Sequence, residues 1–253
     1  MSSGKRSGRK PLRELLRLRY PDLDKDQIFA LLASGRVRVD GELQRSGSVP
    51  IPVTADISIA EADTAAGGRG RFKLEAALAA WEISPAGMVW LDAGASTGGF
   101  TACLLDLGAT AVHAVDVGYN QLDYRLRTDA RVHVWERCNI MEPRRYDPRP
   151  DAFCMDLSFR SALRPVLTVL PLCRQHRGIV LLKPQFEWQD PPDWFDGVVP
   201  ADCLDEIVAA AVRDWEEAGI QVDRIMPSPV TGRHGNQEFL VLVSAGPAAL
   251  ADS

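Results

Sequence analysis

Several absences narrow the chemistry before any motif is read. No apolar run approaches the roughly 20 residues of a membrane span; the longest stretches, such as Gly178 to Leu182 and Phe239 to Val243, fall far short. After Met1, residues 2–10 are only Ser, Gly, Lys and Arg, with no apolar core behind them, so no secretory signal is expected. The cysteines (Cys103, Cys138, Cys154, Cys173, Cys203) are odd in number, scattered, and form no C-x-x-C pair. That pattern leaves no disulfide framework and no metal site, and it points to a reducing compartment. Four of them sit among apolar neighbours, as buried structural thiols do. The expectation is a cytoplasmic protein with neither a metal nor a membrane partner.

The 253 residues are 46% hydrophobic and 25% charged, enough to bury one substantial core with a small companion module beside it. Disorder is excluded as the dominant state. The net charge of −5 is unevenly spread: residues 1–45 hold eleven Lys/Arg against six acids, so the remainder is strongly acidic. A basic end on an acidic protein suits a polyanion partner at that end, or simply a solvated face.

Residues 1–9 read as a disordered tail. From Pro11, Leu12, Leu15, Leu16 and Leu18 keep helical company with Arg13, Arg17 and Arg19 until Pro21 stops the pattern. Asp24 is placed to cap a second helix carrying Ile28, Phe29, Leu31 and Leu32, which Gly35 ends. Arg36-Val37-Arg38-Val39, Asp40-Gly41 and Glu42-Leu43-Gln44 then spell a hairpin with a type I′ turn. This predicts a small α+β module over 10–60, followed by a flexible linker over 61–70.

Over 71–247 helices alternate with short apolar strands. Strands are predicted at Met88–Leu91, Ala111–Val117, Val132–Glu136, Asp151–Leu157, Gly178–Lys183, Ile220–Ile225 and Glu238–Val243. The clearest helices are Ser161–Cys173 and Cys203–Ala218. The fold class is α/β, a Rossmann-like doubly wound, mostly parallel sheet of about seven strands. Ligands in such sheets sit beyond the carboxyl ends of the strands, where strand order reverses, so the residues just after each strand carry the function.

After the first strand comes Asp92-Ala-Gly94-Ala-Ser96-Thr97-Gly98-Gly99-Phe100. The dinucleotide fingerprint fails because Ser96 replaces its second glycine, and no phosphate-loop Gly-Lys-Ser/Thr follows. Gly94 to Gly98 matches the G-x-S-x-G nucleophile elbow of serine hydrolases. That elbow belongs deep in a hydrolase sheet, however, after strands that supply the oxyanion loop. An adenosyl-type site fits better: the glycine turn admits the methionine end of a cofactor, and its amides favour a carboxylate. Asp116, 24 residues beyond Asp92, ends the next strand where an acid reads ribose hydroxyls. Asn139 stands either to bond an adenine edge or to cap its own turn. Asp156 and Lys183 end two strongly apolar strands, Glu238 lies at the mouth of the last, and Lys73 sits on the helix leading into the sheet. Burying such charges is expensive unless they pair. Around one cleft they are either two structural ion pairs or a site in which a tuned lysine acts as general base.

The runs Asp92 to Phe100, Ala114-Val-Asp116-Val-Gly-Tyr119, Lys183-Pro-Gln-Phe-Glu187 and Gly235-Asn-Gln-Glu238-Phe resemble the TlyA group of ribosomal RNA methyltransferases, within the FtsJ-like ribose 2′-O-methyltransferases. The N-terminal module resembles the alpha-L (S-four type) RNA-binding domain of the same group. The resemblance runs from Pro11 to about Val243. It implies S-adenosyl-L-methionine held by Asp92, Gly94, Ser96, Thr97, Gly98, Gly99, Phe100, Asp116 and Asn139. It further implies a tetrad of Lys73, Asp156, Lys183 and Glu238 and a cytidine ribose of ribosomal RNA, or of whole ribosomal subunits, as substrate. Arg13, Arg17, Arg36 and Arg38 would grip that RNA. Two departures stand out. Arg69-Gly-Arg71-Phe-Lys73 replaces the usual Arg-Gly-Gly approach to the first lysine, and Trp188 to Gly197 is acidic and aromatic where the group is basic and glycine-rich. Trp188 and Trp194 there either stack a base or pack the loop. The rival readings are a non-catalytic RNA-binding assembly factor, a haemolysin (a label some members carry) and a hydrolase acting through Ser96.

Overall fold

A computed structural model describes residues 8–246 except 22, 24, 26–27, 29–30, 33–36, 45, 60–67, 143, 159–160 and 233–234. The expected Asp24 cap, Phe29, the Gly35 stop, Arg36 and most of the linker therefore lie outside the described residues, as do tail residues 1–7.

The N-terminal module is built on short strands. Its elements are β1 (Arg9–Pro11), a helix (Leu12–Arg19), β2 (Val37–Val39), β3 (Glu42–Gln44), β4 (Pro50–Pro52) and β5 (Ile57–Ile59). The hairpin forms as its sequence predicts: Asp40 and Gly41 both have positive φ, 50° and 83°, as a type I′ turn requires. Two pairings were not legible. β5 adds to β2 to give the order β3-β2-β5, and β1 pairs antiparallel with β4, Arg9 opposite Pro52. Arg9 is thus a strand residue rather than tail, and its guanidinium donates to the Pro50 carbonyl. Leu12, Leu15, Leu16, Val37, Ile51 and Ile57 are buried together in a core of the module's own.

The larger unit opens with a helix over Gly68–Ala80, which begins inside the stretch predicted as linker. β6 (Val89–Ala93), β7 (Ala111–Val115), β8 (Val132–Trp135), β9 (Ala152–Met155), β10 (Arg177–Leu182), β11 (Ile220–Pro227) and β12 (Phe239–Ala245) form one sheet of order β11-β12-β10-β9-β6-β7-β8. The seven predicted strands are all present, each within a few residues of its expected bounds. β6 to β10 run parallel, whereas β12 inserts antiparallel between β10 and β11. The chain leaves β6 for β7 on one side and returns to β9 on the other, so strand order reverses at β6/β9.

Strand side chains alternate between faces. Trp90, Cys154, Leu181 and Leu240 face the helices Gly68–Ala80 and Gly99–Asp106. Leu91, Met155, Leu182 and Val241 face the opposite layer, where Val166, Ala211 and Trp215 pack from the helices Leu163–Val169 and Leu204–Glu217. Ile207, Ala211 and Trp215 recur every four residues along one stripe, and that burial outweighs the acidic remainder of their helix. Each large apolar side chain so buried contributes about 1.5–3 kcal/mol.

Candidate active site

The same alternation places the charged residues. Asp92 lies between Leu91 and Ala93, which face one layer, so it faces the other with Trp90. Asp156 follows Met155 and Lys183 follows Leu182, so both continue toward the side of Cys154 and Leu181. Glu238 precedes Phe239, the register partner of Leu182, and shares that side. Asp92, Asp156, Lys183 and Glu238 therefore converge at the carboxyl edge, under the helix that carries Lys73.

They meet as two ion pairs. Lys73 Nζ donates to Glu238 Oε2 at 2.5 Å, with both residues buried. Lys183 Nζ donates to Asp156 Oδ1 at 2.6 Å, and Ser158 Oγ lies 3.5 Å away as a second acceptor. A Cβ on Gly232 would fall 2.8 Å from Glu238 Oε1, so only glycine leaves room for that carboxylate. Asn236, buried and two residues ahead of Glu238, accepts from the Val199 amide and donates to the Gly197 carbonyl.

The loop after β6 is held by two carboxylates of opposite character. Asp92 is fully buried; Oδ2 accepts from Thr101 Oγ1 at 2.6 Å, while among the described residues Oδ1 has no hydrogen-bond partner within ordinary distance. Burial pushes its carboxyl up to about 7, against the lowering effect of the Thr101 hydroxyl. Asp116 is half-buried, and its oxygens accept the amides of Ser96 and Gly118 at 2.8 and 2.6 Å, tying the loop after β6 to the loop after β7. The glycines also have a packing reason, beside the one read in the sequence. Gly94 (φ 85°) passes so close to β9 that a Cβ would sit 2.3 Å from the Asp156 carbonyl oxygen. Gly98 (φ 94°) leaves no room beneath Leu126. These residues bring protein segments together before they admit any ligand.

The remaining candidates divide. Ser96 (φ 49°) is half-buried and Thr97 is exposed on the loop, whereas Gly99 and Phe100 are buried, Phe100 within the core under the helix Gly68–Ala80. Asn139 is exposed and its Oδ1 caps its own turn by accepting the Met141 amide. Among the described residues the Ser96 hydroxyl has no hydrogen-bond partner of the kind a nucleophile elbow uses. Burial raises the Cys103 and Cys173 thiols to about 12 and Cys154 well above its ordinary value, which keeps them inert. Arg13 and Arg17 are exposed one turn apart, and Arg38 is exposed with its guanidinium on the Gly41 carbonyl. Trp188 packs edge-on against Trp194 and Phe195, so the aromatics of the acidic loop hold one another.

Sequence reasoning passed over Ser158, Gly232 and Asn236. Gly-Asn-Gln-Glu was visible as a run, but nothing local says that its asparagine reaches a backbone 37 positions away.

The FtsJ-like methyltransferase model matches residues 67–245. The chain is 39% identical to the 16S/23S rRNA (cytidine-2'-O)-methyltransferase TlyA of Mycobacterium tuberculosis, covering 86% of this chain and 83% of that protein. It is 34% identical to Hemolysin A of Brachyspira hyodysenteriae over 83% of this chain and 89% of that one. A Streptococcus thermophilus structure solved under a hemolysin name superposes with a TM-score of 0.68 at 28% identity, covering 95% and 90% of the two chains.

Proposed function

The chain belongs to the FtsJ-like methyltransferase family, and from that premise we propose that it methylates a ribose 2′-hydroxyl, that of a cytidine, in ribosomal RNA. The observation that carries the reading is the gathering of Lys73–Glu238 and Lys183–Asp156 along the carboxyl edge of β9, β10 and β12, next to the buried Asp92, whose Oδ1 has no partner among the described residues.

The residues present fit S-adenosyl-L-methionine. Asp92 Oδ1 is an acceptor without a donor, which a methionine ammonium satisfies. Asp116 keeps lone pairs for ribose hydroxyls after taking two amides, and Asn139 keeps its amide nitrogen for an adenine edge. Bound there, the cofactor supplies an electrophilic methyl group on a sulfonium centre. Lys183, held by Asp156, orients the attacking 2′-oxygen as an ammonium or, once it has released its own proton to solvent, takes the hydroxyl proton as a neutral amine. Lys73 and Glu238 fix the helix Gly68–Ala80 against the sheet, so the ribose meets a rigid edge. Sulfonium charge disappears during transfer, so positioning and water exclusion do most of the work. Arg13, Arg17, Arg36 and Arg38 grip RNA phosphates from the N-terminal module, and a ribosomal substrate places the reaction in the cytoplasm. Among the described residues no helix is long and apolar enough to cross a membrane.

The test incubates the protein with methyl-labelled S-adenosyl-L-methionine and ribosomal subunits lacking the modification, then separates the nucleosides of the digested RNA. Label in 2′-O-methylcytidine that vanishes in Lys183→Ala establishes reaction, cofactor and base together. No label with cofactor and RNA both bound replaces this reading with an assembly factor.

A further inference from the structure

The acidic, aromatic loop after Glu187 is built in a way the reaction does not require. It leaves the carboxyl edge through Lys183 and the short helix Pro184–Glu187, and it is fastened at both ends. At the start, Glu187 Oε1 accepts the Ala162 amide at 2.9 Å, and Gln189 Nε2 donates to Asp214 Oδ2. At the far end, Asn236 clasps Gly197 and Val199, both at 2.8 Å, two residues ahead of Glu238. The loop therefore spans from one tetrad residue to the neighbourhood of another. Between these anchors Trp188 meets Trp194 at 6.1 Å and Phe195 at 5.1 Å between ring centroids, edge-on to both. Trp194 is nonetheless 62% exposed, the most exposed aromatic ring among the described residues.

A large indole held at its edge, with its surroundings fixed, has already lost the freedom that binding would otherwise remove. The charges nearby say what it takes. Asp190 and Asp193 are exposed and make no hydrogen bond or ion pair among the described residues. They repel phosphate, but a carboxylate accepts from the exocyclic amine of a base, and every base offers a face to an aromatic ring. We propose that Trp194, buttressed by Trp188 and Phe195, is a stacking platform for an unpaired nucleobase of the RNA substrate. The loop thus reads a base, while the N-terminal arginines hold the backbone. This rests on the RNA methyltransferase reading for its ligand.

The test has two independent arms. In the first, a short single-stranded cytidine-containing RNA is titrated into the full chain while tryptophan fluorescence is followed, with no cofactor and no turnover. Quenching in the wild type that is lost in Trp194→Phe supports the platform; quenching unchanged by that substitution, or none at all, overturns it. The second arm measures methyl transfer to ribosomal subunits. Trp194→Ala should lower kcat/KM by about 5- to 150-fold, the range of one base–aromatic stack, with cofactor affinity unchanged and Trp194→Phe losing less. An unaltered kcat/KM in Trp194→Ala overturns the platform and leaves the methyltransferase standing. An inactive wild type sinks the methyltransferase reading instead, and the fluorescence arm then decides the platform by itself.

Discussion

The two lysine–carboxylate pairs at the carboxyl edge use the same chemistry in different settings. Lys73 and Glu238 are closed off: their side chains are 9% and 5% exposed, and Gly232 backs the second carboxylate oxygen. Lys183 is buried as deeply, but Asp156 is 26% exposed and Ser158 stands by as an alternative acceptor. A closed pair that loses one partner leaves an uncompensated charge in low dielectric. A pair with an open side can exchange a partner for substrate. We propose that the first is a tether and the second a tool.

The largest effect that sharpens this contrast is on turnover. Lys183→Ala should lower single-turnover methyl transfer by about 10²–10⁴-fold, the usual contribution of a positioned acid–base group, while calorimetry shows cofactor binding retained. Comparable activity in that variant would make the open pair structural like its neighbour. Next comes stability. Glu238→Gln should cost about 3–5 kcal/mol in urea denaturation because it strands a buried lysine, and Asp156→Asn should cost clearly less. Replacing the closed pair together, Lys73→Met with Glu238→Leu, should recover most of that loss without restoring activity. If Asp156→Asn proves the more damaging, the assignment of tether and tool is reversed.

A third prediction concerns Asp92, whose carboxyl burial raises to about 7. The native chain holds this proton over a pH range in which the unfolded chain has already lost it. Native stability from this group therefore falls as pH rises from about 4 to 7 and is flat above. Asp92→Asn removes the titration, so its stability relative to wild type should climb across that window by an amount on the order of a few kcal/mol. A difference that stays constant with pH contradicts the raised value. The smallest effect is expected far from the edge. Arg13→Glu with Arg17→Glu should weaken ribosomal RNA binding and leave cofactor affinity untouched. The slope of log affinity against log salt should flatten by about 0.7–0.9 for each phosphate that is no longer neutralised.

Much of this was legible in the chain. Asp40-Gly41 dictates its turn through two positive φ angles, a purely local demand. The seven strands announce themselves as apolar runs between helices, and Asp156, Lys183 and Glu238 were visible as charges at the ends of such runs. What escaped was non-local. β1 is three residues long and becomes a strand only because β4 pairs with it. Gly94 and Gly98 also carry a packing role that the motif does not show, against Asp156 and Leu126. Asn139 offered two roles, and its carbonyl takes the local one as a turn cap.

By itself, the sequence determined the α/β class, the strand count and the strand-end positions of Asp156, Lys183 and Glu238, while their grouping with Lys73 was what the family resemblance implied. Periodicity and strand-end chemistry are properties of neighbouring residues, so a linear reading reaches them. Only the tertiary structure decided which lysine takes which carboxylate, which pair is sealed, and that Asn236 fastens the loop after Glu187. Lys73 and Glu238 are 165 positions apart. Their distance is set by how β12 enters antiparallel beside β10 and how one helix packs across that face, and burial then fixes what each charge can do.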